Sequence, residues 1–96
     1  MKYVTLPHFD RKFDAYQRAD QEIIYNTIEA VKNSLETSSA PFGLRIKRLN
    51  YKIYEARIDI KLRIAFYRDK DVVKFFCLGN HEDIARCLKR LSSIKF

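Results

Sequence analysis

At 96 residues the chain has room for one domain, spanning 1–96, and one modest core; with 47% apolar residues and no low-complexity tract, it is neither disordered nor fibrous. Its apolar stretches fall well short of the roughly 20 residues of a membrane span, and Met1-Lys2-Tyr3-Val4-Thr5 lacks the long apolar region of a secretion signal. The net charge of +7 is lopsided: residues 1–42 hold five Lys/Arg against six Asp/Glu, net −1, and residues 43–96 hold fourteen against six, net +8.

In chain order, Lys2–Leu6 is a β-branched and aromatic run that predicts a strand, stopped by Pro7, which suits a first helical turn. Phe9, Phe13 and Tyr16 recur at helical spacing over His8–Ala19, and Asp20 is placed to cap a second helix with the stripe Ile24, Ile28, Val31 and Leu35. This helical hairpin ends in a loop over 37–43. The period then changes. Leu44–Leu49 alternates apolar with basic residues. Ile53–Ile58 sets Tyr54, Ala56 and Ile58 against Glu55 and Arg57, and Leu62–Tyr67 sets Leu62, Ile64 and Phe66 against Arg63, Ala65 and Tyr67. Asp69-Lys70-Asp71 reads as a turn and Val72–Leu78 as an apolar strand. Gly79 ends that strand, and Asn80, with Asp83 three residues on, predicts a capped final helix with the buried stripe Ile84, Leu88 and Leu91. Arg86, Lys89 and Arg90 give this helix a basic flank.

The elements predict an α+β fold: an N-terminal strand and helical hairpin packed on an antiparallel sheet of about four strands, with a C-terminal helix. If the helices cover the apolar face, the opposite face displays Glu55, Arg57 and Arg63, charged residues that are solvated or bind something charged. The positive second half favours a polyanionic partner. Cys77 and Cys87 show no CxxC or zinc-ligand spacing and read as buried free thiols of a reducing compartment. The expected location is the cytoplasm, with no membrane partner.

Tyr54-Glu55-Ala56-Arg57-Ile58, then Leu62-Arg63-Ile64-Ala65-Phe66, then the strand 72–78 leading into Gly79-Asn80-His81-Glu82-Asp83-Ile84 resemble the RelE/ParE superfamily of toxins from type II toxin–antitoxin systems. The shared pattern is an arginine-bearing hairpin, an apolar strand and a Gly-x-His box. It covers the second half closely and the first half in element order only. What the resemblance implies is a ribosome-dependent endoribonuclease that cuts messenger RNA without a metal ion or cofactor. In that reaction the 2′-hydroxyl attacks the adjacent phosphorus and the 5′-oxygen leaves, which requires a proton acceptor, a proton donor and cations around the phosphate.

On this pattern Arg63 matches the phosphate-binding arginine of the central strand, where a forked guanidinium suits a pentacoordinate phosphate. His81 matches the box position that could protonate the leaving oxygen. Arg57 fits a second phosphate contact. Glu55 is either a general base or a salt-bridge partner of Arg57 or Arg63. Arg45, Lys47, Arg48 and Arg86 are candidate RNA-backbone contacts. Ala85 stands near the place where the box often ends in tyrosine, so Tyr54 or Tyr67 is the candidate for base stacking. The implied partners are a cognate antitoxin, the ribosome with its mRNA and, through the antitoxin complex, operator DNA. Two alternatives share the fold: a ParE-like toxin that inhibits DNA gyrase without catalysis, and an inactive member that only binds its antitoxin.

Overall fold

The computed structural model of the chain describes residues 1–38, 44–91 and 96. Its elements are β1 (Lys2–Thr5), α1 (Pro7–Ala15), α2 (Arg18–Thr37), β2 (Lys47–Arg48), β3 (Ile53–Arg57), β4 (Arg63–Asp69), β5 (Val72–Gly79) and α3 (His81–Lys89). Pro7 opens α1, where its missing N–H has no intrahelical partner to lose. α1 stops at Tyr16, whose backbone turns extended. The cap of α2 is Gln17 rather than Asp20. Asp20 lies in the first turn, where its charge meets the positive helix end. Gln21 Nε2 donates to the Phe13 carbonyl at 3.0 Å and ties the two helices at their junction.

Ile24, Thr27, Ile28, Val31 and Ser34 form the buried stripe of α2. The Thr27 hydroxyl donates to the Ile23 carbonyl at 3.0 Å, so the stripe carries no unpaired polar group there. Ser38, in the left-handed region with φ 56°, ends the helix. The rest of the predicted loop, 39–43, lies outside the described residues.

The sheet has five strands in the order β1-β5-β4-β3-β2. β3/β4 and β4/β5 are antiparallel hairpins, as their short connections require, with Lys70 at φ 54° in the β4–β5 turn. β1 joins as a fifth strand, parallel to β5 from Lys2↔Val72 to Thr5↔Phe75, so the sheet is mixed rather than antiparallel. The helical hairpin and three strands that separate β1 from β5 make a long crossover, which a parallel pair needs. The predicted strand Leu44–Leu49 shrinks to Lys47–Arg48, because Arg45 takes φ 46° and cannot continue an extended run.

Tyr54, Ala56, Ile58, Ile64, Phe66, Val73, Phe75 and Leu78 lie on the face covered by α1 and α2, where they pack with Phe9, Ile24, Ile28 and Val31. Phe66 and Phe75, essentially fully buried, meet at 5.7 Å between ring centroids. Each contributes on the order of 2–3 kcal/mol of apolar burial.

The far face is not left open. α3 folds back over part of it, and Ile53, Ala65, Phe76, Cys77, Ile84 and Cys87 form a second core there. The expectation of one apolar face and one charged face is therefore corrected to one fully covered face and one half-covered face. A register shift between Ala65 and Phe66 makes this possible: Ala65 pairs with Cys77 and Phe66 with Phe75, so Phe76 is an extra residue and two consecutive side chains, Phe76 and Cys77, enter the far-side core.

Cys77 and Cys87 are joined in a disulfide, with Cα atoms 6.2 Å apart. This corrects the expectation of free thiols. Cys77 ends on the far face, and Cys87 is three residues beyond buried Ile84 on the same side of α3, so the fold brings the sulfurs together. Among the described residues no helix is long and apolar enough to cross a membrane.

Candidate functional site

Strand register fixes the site before any side chain is considered. Arg57 on β3 is directly opposite Arg63 on β4, which is directly opposite Gly79 on β5, two residues before His81. The three positions form one cross-strand row on the uncovered part of the far face, and α3 begins at its end. Glu55, two residues from Arg57 on the same face, starts the next row with Lys47, Ala65 and Cys77.

Arg63 and His81 line the same cleft, of about 480 Å³, with Lys61, Leu62, Asn80 and Glu82. Two local structures hold its walls. Asp59 Oδ1 accepts from the Lys61 and Leu62 amides, each at 2.7 Å, and shapes the β3–β4 turn. Across the cleft, Asn80 and Asp83 form a capping box: the Asn80 side chain accepts from the Asp83 amide at 2.8 Å, and Asp83 accepts from the Asn80 amide at 3.0 Å. The Asn80 backbone hydrogen bond is the main cause that holds the Asp83 carboxyl below its ordinary pKa, with Arg86 and Lys12 assisting against partial burial. Gly79 permits the entry into this cap. It has φ 153°, and a β-carbon there would stand 2.5 Å from the Asp83 β-carbon.

Glu55 is only 4% exposed, and its Oε1 takes a hydrogen bond from Arg63 NH1 at 2.9 Å; Lys47 Nζ is 4.0 Å away. Arg63 is thus anchored by one nitrogen, and among the described residues its remaining guanidinium donors meet no hydrogen-bond partner and can meet an anion. Arg57, half-buried, and His81, exposed, make no side-chain hydrogen bond or ion pair among the described residues. The amino end of α3 adds its partial positive charge to the same end of the row.

The other sequence candidates disperse. Lys47 lies on the site face. Arg48, its neighbour, is committed to its own turn, with Nε donating to the Asn50 carbonyl at 3.1 Å and NH2 to the Tyr51 carbonyl at 2.8 Å. Arg45 is exposed beside the edge strand. Arg86 pairs with Asp83 at 2.5 Å and does not line the cleft. Tyr54 is corrected as a stacking candidate for this face: its parity puts it under the helical hairpin, stacked on Phe66 at 5.6 Å. Tyr67 does lie on the far face, but its ring stacks on Phe96 at 4.5 Å. Ala85 is exposed on α3, and His8 is exposed at the start of α1, away from the cleft. Sequence reasoning missed Lys61. Its signal is the Asp59-Ile60-Lys61 turn, which projects a cation at the mouth of the Arg63 strand.

No family model matches the chain, and no curated protein matches it. Solved structures do. A YoeB/ParE toxin from Agrobacterium tumefaciens superposes with TM-score 0.65 at 17% identity, covering 84% of this chain and 99% of that one. The E. coli DinJ–YafQ complex gives 0.67 at 13%, covering 84% and 93%. The RelB–RelE antitoxin–toxin complex from Methanococcus jannaschii gives 0.62 at 14%, covering 86% and 95%. The chain therefore has the RelE-like toxin fold over nearly the whole length of these structures.

Proposed function

We propose that this chain, which carries the fold of the YoeB, YafQ and RelE toxins, is itself a RelE/ParE-superfamily toxin: a ribosome-dependent, metal-independent endoribonuclease held inactive by an antitoxin. The observation that carries the reading is the single row Arg57–Arg63–Gly79 with His81 at its end, Arg63 and His81 facing one cleft.

In this reading the scissile phosphate docks against the free donors of Arg63 with Arg57 beside it. Both stabilise the charge that builds on the phosphate oxygens as the 2′-oxygen attacks and the 2′-hydroxyl gives up its proton to solvent water. His81 gives a proton to the departing 5′-oxygen. Glu55, buried and bound to Arg63, acts as a positioning residue that aims the guanidinium, in preference to the general-base role. Lys61 and Lys47 track the flanking backbone. The antitoxin, by analogy with the complexes named DinJ–YafQ and RelB–RelE, is an acidic segment that covers the basic face and so excludes mRNA. The working compartment is the cytoplasm, where ribosomes and mRNA meet.

The test is induced expression of wild type, Arg63→Ala and His81→Ala with mapping of mRNA ends. Wild type should arrest growth and leave ribosome-dependent cuts, both weakened in the variants. Arrest with intact mRNA and inhibited gyrase would replace this reading with the ParE-like one. No effect from the wild type would replace it with an inactive, antitoxin-binding role.

A further inference from the structure

The disulfide closes a loop with a sequence separation of ten, and that loop contains Gly79, Asn80 and His81, the segment that delivers the histidine to the cleft. At one end Cys77 pairs with Ala65, two residues from Arg63 on the same face of β4. At the other, Cys87 lies on α3. The bond is therefore a covalent strut between the row next to that of Arg63, the one that also holds Glu55, and the helix whose first residue is His81.

α3 is nine residues long, too short to be stable without docking. Besides the cystine, buried Ile84, half-buried Leu88 and the contact of Asp83 with Lys12 of α1 hold it against the rest of the fold. The two residues also differ in depth: Cys77 is 0% exposed and Cys87 7%, so the shorter approach to the bond is from the Cys87 side.

We propose that the Cys77–Cys87 pair is a redox-modification site whose state sets the fit of α3, and with it His81, against the Arg63 row. Oxidation completes the site and reduction by a dithiol loosens it. The inference rests on the reading of Arg63 and His81 as one site. In the reducing direction a dithiol thiolate attacks Cys87 Sγ and forms a mixed disulfide, and Cys77 leaves as a thiolate and takes up a proton. The second thiol of the reductant then attacks its own mixed-disulfide sulfur and releases Cys87, which is protonated in turn. Two electrons pass to the protein, and the reductant leaves as a cyclic disulfide. Oxidation reverses the exchange with an oxidised dithiol.

The test is backbone hydrogen exchange on the full chain, oxidised and after treatment with dithiothreitol, with free thiols counted in each sample. On reduction the α3 amides should exchange at least about tenfold faster, while those of β3 and β4 keep their rates. Cys87→Ala should show the fast α3 pattern with or without reductant. If that variant fails to fold, wild type in its two redox states decides alone. Identical α3 exchange in both states, or uniform acceleration across the whole chain, would overturn the proposal. Ribosome-dependent mRNA cutting is measured on the same samples. A local change in α3 with faster cutting when oxidised supports the proposal, and a local change with equal cutting overturns it. A local change with no cutting in either state supports the strut and sinks the nuclease reading instead.

Discussion

Glu55 is the residue on which the candidate site turns energetically. A carboxylate this buried is tolerable because Arg63 meets it at 2.9 Å. Arg63→Ala strips that partner and should cost about 2–3 kcal/mol in urea unfolding, whereas Arg63→Ala with Glu55→Ala should recover part of the loss. The double variant, more stable yet still unable to cut RNA, would separate chemistry from folding. Glu55→Gln keeps a hydrogen-bond acceptor toward Arg63 but no basic carboxylate. A positioning role predicts mRNA cutting within a few-fold of wild type, and a general-base role predicts a loss of roughly 100-fold. At this scale the sequence was partly legible. Parity alone put Arg57, Arg63 and Glu55 on one face, and the box put His81 beside them. The same parity argued against Tyr54, which alternates with Glu55 and so belongs under the helices. The disulfide was hidden, because nothing local tells that Cys87 comes down on the face to which Cys77 points.

The elements most exposed to test are the β5–α3 joint and its cap. Gly79→Ala would drive a β-carbon into Asp83 at a backbone angle that side chains avoid, so about 2 kcal/mol of stability and most of the cutting should be lost together. Asn80→Ala removes one arm of the capping box and should cost about 1 kcal/mol, read by thermal unfolding. The Asp83 carboxyl is held below its ordinary pKa in the folded chain. Its contribution is therefore full above the unfolded carboxylate value and drains away as the pH falls through the lower folded value. Urea midpoints followed from neutral pH down into the range below pH ~4 should fall, and Asp83→Asn, less stable at neutral pH, should show a shallower fall. Element order and the cap were readable from periodicity and from Asn80 with Asp83. The lengths were not: the edge strand next to Arg45 depends on one positive φ that no apolar–basic alternation announces.

At the scale of the whole molecule, charge and layering matter most. Of the fourteen cations of residues 43–96, Lys47, Arg57, Lys61 and Arg63 stand on strands or a turn at the open part of the far face. Binding of single-stranded RNA should weaken with salt at a slope set by about three phosphates, roughly −2 in log K against log salt, and Arg63→Ala should flatten it by about 0.7. Filter binding across a salt series reads both. The layering escaped the sequence reading because β1 and α3 are placed by tertiary packing: β1 finds its parallel neighbour only after the crossover is built, and α3 chooses the far face because Phe76 and Cys77 offer it apolar ground.

That ground depends on the register shift in β5. In pairing terms Phe76 is a surplus residue, since Phe75 and Cys77 already face consecutive positions of β4. A chain with Phe76 deleted would keep every remaining partner and every side-chain direction along the ladder. What it would lose is a fully buried phenyl ring of the core beneath α3, the one that Phe96 meets edge-on at 5.1 Å, at a cost of about 3–5 kcal/mol. Most single deletions within a strand turn the downstream half inside out; at this position the pairing would survive and the damage would fall on the packing beneath α3.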